Sequence, residues 1–165
     1  MRHARATGQA PGAALTPQGE ADAQALADSL AGLGLTRAVS SPWTRAAATA
    51  GPVARALGLD LRTDPRLTER ALSGPDLPFW RAALRLSFGW PGLRWPGGES
   101  GRSAHARIGA ALDEARDPGG VTLVVTHGNL LALALGLDYG GWAALRSPDV
   151  WVVLPDGRPP FRLDP

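Results

Sequence analysis

The sequence predicts an α/β fold: an open, mostly parallel β-sheet flanked by helices on both faces, in a single domain over residues 1–165. Apolar segments of strand length alternate along the chain with segments of helical periodicity, which is typical of parallel sheets. The segment "GVTLVVT", residues 120–126, is apolar enough for a strand that is covered on both faces. A chain of 165 residues, 44% hydrophobic and 19% charged, suits one globular domain with a sizeable core.

The first predicted helix lies in "LTPQGEADAQALADSLAGLG". Thr16 is a suitable N-cap, and Pro17 suits the first helical position. Leu26, Leu30 and Leu33 are spaced to share one helical face. We therefore expect a helix from Pro17 that ends in the glycines of "AGLG".

A strand, a helix and a second strand are predicted next. "RAVSS", 37–41, has the composition of a short strand, and a helix follows from about Pro42 to Leu57. "LDLRT", 59–63, is a weaker strand candidate. These segments supply two further strands of the predicted sheet and one of its flanking helices.

Residues 64–100 differ in composition, because Pro and Gly recur there and Trp80, Trp90 and Trp95 fall within a short interval. "PFWRAALRLSF" is predicted as a short helix, and the rest as loop. This region is expected to form a lid or insert over a site. Packing of the tryptophans under a long loop is the commoner explanation for such aromatic residues.

Two helices, a strand and a hairpin are predicted for the remainder. "GRSAHARIGAALDEARD" is a helix with Ile108 and Leu112 facing inward, and "NLLALALGL" is a helix after the strand at 120–126. "VWVVL", "PDG" and "PFRL" together predict a closing hairpin.

Composition excludes several classes of function. The chain has no Cys, which excludes a thiolate nucleophile, a disulfide scaffold and Cys-ligated zinc. All 17 basic residues are Arg, but they are dispersed and the net charge is only +2, so the pI of about 10.3 does not indicate nucleic-acid binding. No apolar run approaches the roughly 20 residues of a membrane span, and "MRHARATGQ" does not resemble a signal peptide. We therefore expect a cytoplasmic protein with no nucleic-acid or membrane partner; oligomeric state stays open.

Polar side chains follow three predicted strand ends. Arg2 and His3 stand at the start of the chain, Arg45 comes one turn after the strand at 37–41, and His127 directly follows the strand at 120–126. In open α/β sheets ligands collect at the carboxyl ends of strands, and helix N-termini there favour anions. Guanidinium and imidazole groups around one point predict a phosphate pocket, with Gly128 allowing close approach of the backbone.

Six segments in order, over residues 2–135, resemble the histidine phosphatase superfamily, also called phosphoglycerate-mutase-like. They are "RHA", "LTPQGEADAQALADSL", "SSPWTRAAATA", "LTE", "PGGES" and "VVTHGN". The resemblance implies an open, mostly parallel sheet with His3 as the nucleophile and Glu69 as the general acid. It also implies that Arg2, Arg45 and His127 bind the phosphoryl group.

The resemblance implies a metal-independent phosphomonoester hydrolase, with no cofactor, that acts on a small phosphorylated metabolite through a phosphohistidine. Arginine would neutralise the phosphate dianion, and the attacking imidazole needs an acceptor, such as a backbone carbonyl, for its other N–H. Glu69 would protonate the leaving alkoxide and then deprotonate the hydrolytic water. We expect such a carboxyl to have a raised pKa.

Each proposed role has a plainer alternative. Taken alone, His127 would be a satisfied core histidine and Arg45 an exposed helix residue. Glu69 could pair with Arg66 or Arg70 instead of acting as an acid.

Three further polar residues carry weaker expectations. Gln9 stands where the superfamily often has a phosphate-binding Asn, although a solvated loop glutamine is equally compatible. Glu99 could be a second acid, but capping or bracing the following helix is favoured. His105, between two alanines on a helix, is expected at the surface.

Two departures from the superfamily pattern stand at the start of the chain. Only Met1 precedes the Arg-His pair, where a hydrophobic strand is usual, so a central strand would be nearly missing. We expect the natural start to lie upstream, and that a longer chain would gain thermal stability or activity. Ala4 replaces the usual Gly, which is tolerable unless the backbone needs a positive φ.

Several other activities remain open. Phosphoglycerate mutases tend to have longer chains that close over the site, whereas the compact phosphohistidine protein phosphatases lack the "L-x-E" acid. A non-catalytic phosphate-binding member of the fold is the rival from another class. A metallophosphatase is disfavoured because the histidines, at 3, 105 and 127, show no HxH or HExxH spacing.

Overall fold

The computed structural model describes residues 1–74 and 76–164 and has the predicted α/β architecture. Its main sheet has the strand order β2-β1-β3, and both pairs are parallel. The strands are β1 (Leu35–Ser40), β2 (Leu61–Thr63) and β3 (Val121–Val125). Because the strands are parallel, their carboxyl ends meet at one edge of the sheet, as the placement of the site requires.

The α-helices of the described residues cover both faces of this sheet. They are α1 (Pro17–Leu30), α2 (Thr44–Ala56), α3 (Trp80–Gly89), α4 (Gly101–Ala115), α5 (Gly128–Ala134) and α6 (Tyr139–Ala143). Ala38 and Leu123 pack with α1 and α2, whereas Val39 and Val124 pack with α4 and α5. Successive strand residues point to opposite faces, so this alternation buries both sides of β1 and β3.

The boundaries differ from the sequence prediction in two helices. α1 ends at Leu30 and continues as a 3₁₀ turn, so Leu33 is 38% exposed and does not share the buried face of Leu26 and Leu30. Gly34, at φ 65°, ends this turn. The helix predicted for 129–137 is shorter, because it ends before Gly136, which has φ 67°. A glycine in the left-handed conformation ends the run of helical hydrogen bonds even where the apolar spacing continues.

The C-terminal part contains one predicted element and one that was not predicted. The closing hairpin is confirmed: β4 (Val150–Val152) pairs antiparallel with β5 (Phe161–Leu163). The short helix α6 was not predicted from the sequence. Its N-cap Asp138 accepts a hydrogen bond from the Gly141 N–H, whereas "YGGWA" itself has little helix propensity.

The first three residues pair with β3 and with the segment that leads to β4. The Thr126 N–H donates to the Met1 carbonyl at 2.9 Å, and the His3 N–H donates to the Thr126 carbonyl at 3.0 Å. On the other side the Arg2 N–H donates to the Asp149 carbonyl at 2.9 Å. This short pairing places Arg2 and His3 beside the end of β3.

The tryptophans of residues 64–100 do not form one cluster. Trp80 packs edge-on against Trp142 of α6, and Trp95 packs against Phe79. Trp90 is 65% exposed. Trp80 and Trp95 therefore pack at separate points near α3, whereas Trp90 faces solvent. Within the described part of the chain, every helix is too short or too polar to cross a bilayer.

Candidate active site

Two imidazole rings meet at the carboxyl ends of the parallel segments. The ring centroids of His3 and His127 lie 5.1 Å apart, with an interplanar angle of 65°. His3 is 8% exposed, and His127 is fully buried. The pairing of residues 1–3 with β3 brings together two residues that are distant in sequence, because each follows the end of its strand segment.

Hydrogen bonds fix the neutral tautomer of His3. Its Nδ1 lies 2.7 Å from the Ala4 carbonyl oxygen, which can only accept, so Nδ1 carries the proton. The Nε2 lone pair then accepts the Nε–H of Arg45 at 3.0 Å. Burial is the main cause that lowers the pKa of His3 to about 4, and the charges of Arg45 and Arg2 act in the same direction. The hydrogen bond to Ala4 acts in the opposite direction but does not offset these effects. At neutral pH the ring therefore presents an unprotonated Nε2.

Ser41 contacts Nε2 of His127. The Ser41 Oγ accepts the Trp43 N–H at 3.3 Å and lies 2.8 Å from His127 Nε2. We assign the hydroxyl hydrogen of Ser41 to Nε2, because this direction gives that hydrogen an acceptor. Nδ1 then carries the proton, and this buried atom has no partner among the described residues. Burial, and then the nearby His3 and Arg45, lowers the pKa of His127 to about 2. His127 is thus a neutral donor whose N–H lacks an acceptor.

Arg45 is 1% exposed, so it is not the surface helix residue of the plainer alternative. Its Nη1 donates to the carbonyls of Gln9 and Ala10 at 3.2 and 2.9 Å. Its guanidinium lies 4.6 Å from the centroid of the Trp43 ring. Gln9 meets this guanidinium through its backbone, and its side chain is exposed, so a phosphate contact from the Gln9 amide stays a prediction.

Gly128 lies against the Arg2 guanidinium, and its approach to a phosphoryl group stays a prediction. A Cβ at this position would lie 3.2 Å from Arg2 Nε and 3.3 Å from its Cζ, so the glycine makes room for the Arg2 guanidinium. Arg2 Nη1 donates to the carbonyls of Leu145 and Arg146 at 3.0 and 3.2 Å. Its buried Nε has no partner in the part of the chain that the structure describes. A phosphoryl oxygen would satisfy such a donor.

Glu69 occupies the helix N-terminus that the sequence assigned to a phosphate. Its Oε2 accepts the Asn129 N–H at 3.1 Å, and its Oε1 accepts the N–H groups of Leu130 and Arg70 at 3.1 and 3.0 Å. Asn129 and Leu130 belong to the first turn of α5, so the free amides of that helix bind an internal carboxylate. Burial raises the pKa of Glu69, against these three bonds and the charge of Arg2.

The same contacts indicate which oxygen of Glu69 can carry a proton. A carboxylate oxygen accepts about two hydrogen bonds. Oε1 already accepts two, whereas Oε2 accepts one and keeps a free lone pair. Oε2 is therefore the oxygen with room for a proton or for a further hydrogen bond.

Glu69 was alternatively expected to pair with Arg66 or Arg70, but both guanidinium groups bind other partners. The guanidinium of Arg66 binds Asp64 and Glu114. The guanidinium of Arg70 donates to Ser87 Oγ at 2.9 Å and to the Glu99 carbonyl at 3.0 Å.

Two other polar residues match the plainer expectations for them. Glu99 forms a two-point ion pair with Arg107 of α4, as the bracing alternative expected. His105 is exposed on α4, as predicted.

Ala4 has no positive φ, since none of the described non-glycine residues has one, so it fits the position of the usual glycine.

Sequence reasoning missed three residues that contact the site. Ser41 directly follows β1, and this strand-end position could have signalled it. The Trp43 ring lies 4.7 Å from the His127 ring. Asn129, the chain's only asparagine, is 8% exposed, and its Oδ1 has no partner among residues 1–74 and 76–164.

Comparison with known proteins identifies the family. The sequence profile of the histidine phosphatase superfamily (branch 1) matches residues 1–148. The chain belongs to this superfamily. Arg2, His3, Arg45, Glu69 and His127 all lie inside the matched region.

Relatives in this superfamily are named for more than one activity. The chain is 32% identical over 138 residues to a probable phosphoglycerate mutase GpmB of Cronobacter sakazakii, covering 76% of this chain and 63% of that protein. It therefore spans slightly less than two thirds of that relative's length. A mycobacterial glucosyl-3-phosphoglycerate phosphatase, solved with inorganic phosphate, is 30% identical with a TM-score of 0.68, covering 88% of this chain and 81% of that one. The protein TTHB049 of Thermus thermophilus is 27% identical with a TM-score of 0.65, covering 97% of this chain and 89% of that one.

Proposed function

We propose that the protein is a phosphomonoester hydrolase that transfers the phosphoryl group of a small phosphorylated metabolite to His3 and then to water. One observation carries this proposal: His3 is held as the tautomer with an unprotonated Nε2, beside Nδ1 of His127, which has no partner among the described residues. A nucleophile and a donor for the transferred group are thus 5.1 Å apart, centroid to centroid. The cysteine-free composition is compatible with the reducing cytoplasm, where we place the enzyme.

In the first step, His3 Nε2 attacks phosphorus, the N–P bond forms and the ester P–O bond breaks. Arg45, which donates to Nε2 in the free site, turns its N–H to a phosphoryl oxygen, and Arg2 Nε and His127 Nδ1 donate to the others. Glu69 supplies the proton of Oε2 to the leaving alkoxide. The fixed positive charge of the two arginines offsets the dianion, so this route needs no metal ion.

In the second step, water attacks phosphorus and the N–P bond breaks. Glu69, now a carboxylate, takes the proton of this water, and inorganic phosphate leaves. The raised pKa of Glu69 suits both roles, because an acid near its pKa can give and regain a proton.

Ester substrates are favoured by Glu69. Phosphohistidine has a good leaving group that needs no acid, so an acid held by three backbone N–H groups favours alkyl phosphates. The similarity to a phosphatase solved with inorganic phosphate supports a phosphate site here. The 32% identity to a probable phosphoglycerate mutase keeps mutase activity as the second candidate.

The test is turnover of p-nitrophenyl phosphate in the presence of a chelator. We expect wild-type activity, no activity in His3→Ala, and full activity in His105→Ala, which removes an exposed imidazole instead. Rapid quench with labelled substrate should trap a phosphoryl group on His3. A folded chain that binds inorganic phosphate in calorimetry but shows neither turnover nor label would favour the non-catalytic alternative. Conversion of 3- to 2-phosphoglycerate faster than hydrolysis would favour the mutase.

A further inference from the structure

The segment that carries Glu69 lies outside the sheet and the α-helices, so its backbone carbonyls need other donors. Side chains supply them at three successive residues. Arg107 Nη1 donates to the carbonyls of Arg66 and Thr68, the latter at 3.0 Å. Between them, Thr126 Oγ1 donates to the Leu67 carbonyl at 2.8 Å. The loop before Glu69 is therefore held by side chains of α4 and of the end of β3.

Arg107 is itself fixed by one carboxylate. Its Nε donates to Glu99 Oε1 at 3.0 Å, and its Nη2 donates to Glu99 Oε2 at 2.7 Å. The two side chains are only 22% and 21% exposed. This two-point pairing orients the planar guanidinium so that its remaining nitrogen faces the loop.

We propose that Arg107, held by Glu99, is a positioning residue for the general acid Glu69. This inference rests on the proposed function and adds residues to it. Neither side chain is placed at the reacting atoms. Arg107 acts through the carbonyls of Arg66 and Thr68, which lie three and one residues before Glu69.

The carboxyl of Glu69 is thereby fixed from two sides. Its oxygens accept amides of α5, and the chain that carries it is bound by α4 through Arg107. If Arg107 is lost, two carbonyls lose their donor and the loop can shift, while Glu99 loses its ion-pair partner and keeps the hydrogen bond from the Ser103 hydroxyl. A displacement of about 1 Å at a catalytic group can cost on the order of a hundred-fold in rate.

The dependence on the leaving group separates this role from a general structural one. An alkyl phosphate needs Glu69 as an acid, whereas p-nitrophenolate leaves without protonation because its charge is delocalised. We expect Arg107→Met to lower kcat/KM for glycerol 3-phosphate roughly ten- to a hundred-fold, within the range of general acid catalysis. We expect less than about a three-fold loss for p-nitrophenyl phosphate, because that step does not use the acid.

Three further variants sharpen the test. Glu69→Gln should also lose more kcat/KM for glycerol 3-phosphate than for p-nitrophenyl phosphate, and the difference between the two losses should be larger than in Arg107→Met. Arg107→Lys keeps the charge but cannot bind two carbonyls and two carboxylate oxygens at once, so we expect it to resemble Arg107→Met. Glu99→Gln should show a smaller loss in the same direction. Arg102→Met, at an exposed position of the same helix, is the matched control and should resemble wild type.

The outcomes distinguish this inference from the proposed function. Equal losses for both substrates in Arg107→Met, or wild-type values for both, would overturn the positioning role even if Glu69→Gln behaves as expected. Absence of any turnover in wild type would instead overturn the proposed function. If Arg107→Met fails to fold, judged by its thermal midpoint, Arg107→Lys and Glu99→Gln carry the same comparison.

Discussion

The two buried neutral imidazoles make the stability of the protein depend on pH, and His127→Gln tests this directly. Burial, followed by His3 and the surrounding arginines, lowers the pKa of His127 from 6.5 to about 2. Between pH 6 and pH 5 the unfolded chain therefore binds most of a proton at this position, and the folded chain binds almost none. A base with a depressed pKa contributes stability that is present above the unfolded pKa and is lost as the pH falls.

The magnitude follows from the linkage relation. One proton of difference is worth about 1.4 kcal/mol per pH unit, and integration from pH 6 to pH 5 gives a loss on the order of 1 kcal/mol for His127. His3, whose pKa is lowered to about 4, adds a similar loss over the same interval. Glu69 acts in the opposite sense, because its pKa is raised and the folded state retains a proton that the unfolded state releases. A comparison with the variant isolates the term of His127.

The assay is urea unfolding at pH 6 and pH 5, with the free energy of unfolding extrapolated to water. We expect His127→Gln to reduce the loss between these two pH values by about 1 kcal/mol relative to wild type. His105→Gln, which removes an exposed imidazole, is the matched control. A pH dependence in His127→Gln equal to that of wild type would refute the assignment of His127 as a buried neutral ring.

Three further predictions concern activity. The profile of kcat/KM against pH should fall below about pH 4, as the proposed nucleophile is protonated, and again where Glu69 ionises, above its ordinary range. Glu69→Gln should remove the alkaline limb, and a limb that persists would assign it to another group. Ser41→Ala removes a hydrogen bond worth about 0.5–1.5 kcal/mol, so kcat/KM should fall roughly two- to ten-fold and the ¹⁵N shifts of His127 should show a mixture of tautomers. An unchanged tautomer would contradict that. Gly128→Ala should displace the Arg2 guanidinium and weaken inhibition by inorganic phosphate several-fold, and unchanged inhibition would show that the contact is not needed.

Much of the fold could be predicted because its signals are local. Alternating strands and helices, and the cap at Thr16, depend on neighbours within one or two turns of chain. The misjudged boundaries are those where a tertiary or backbone effect overrides periodicity. Gly136 ends α5 in the left-handed conformation, and α6 forms at "YGGWA" although that sequence favours no helix.

The convergence of three candidate side chains could also be predicted from the sequence, for a topological reason. Parallel strands end at the same edge of a sheet, so side chains that follow strand ends converge wherever they stand in the chain. His3, Arg45 and His127 meet for this reason.

Only the tertiary structure decided which atom of each side chain is free to act. The tautomer of His127 depends on Ser41, which is 86 residues away, and the position of Glu69 depends on amides 60 and 61 residues away. Arg107 reaches its carbonyls across 39 and 41 residues. Local sequence preferences select helices and strands, but hydrogen-bond partners at such separations are selected by packing, because a buried donor takes whichever acceptor the fold places within reach.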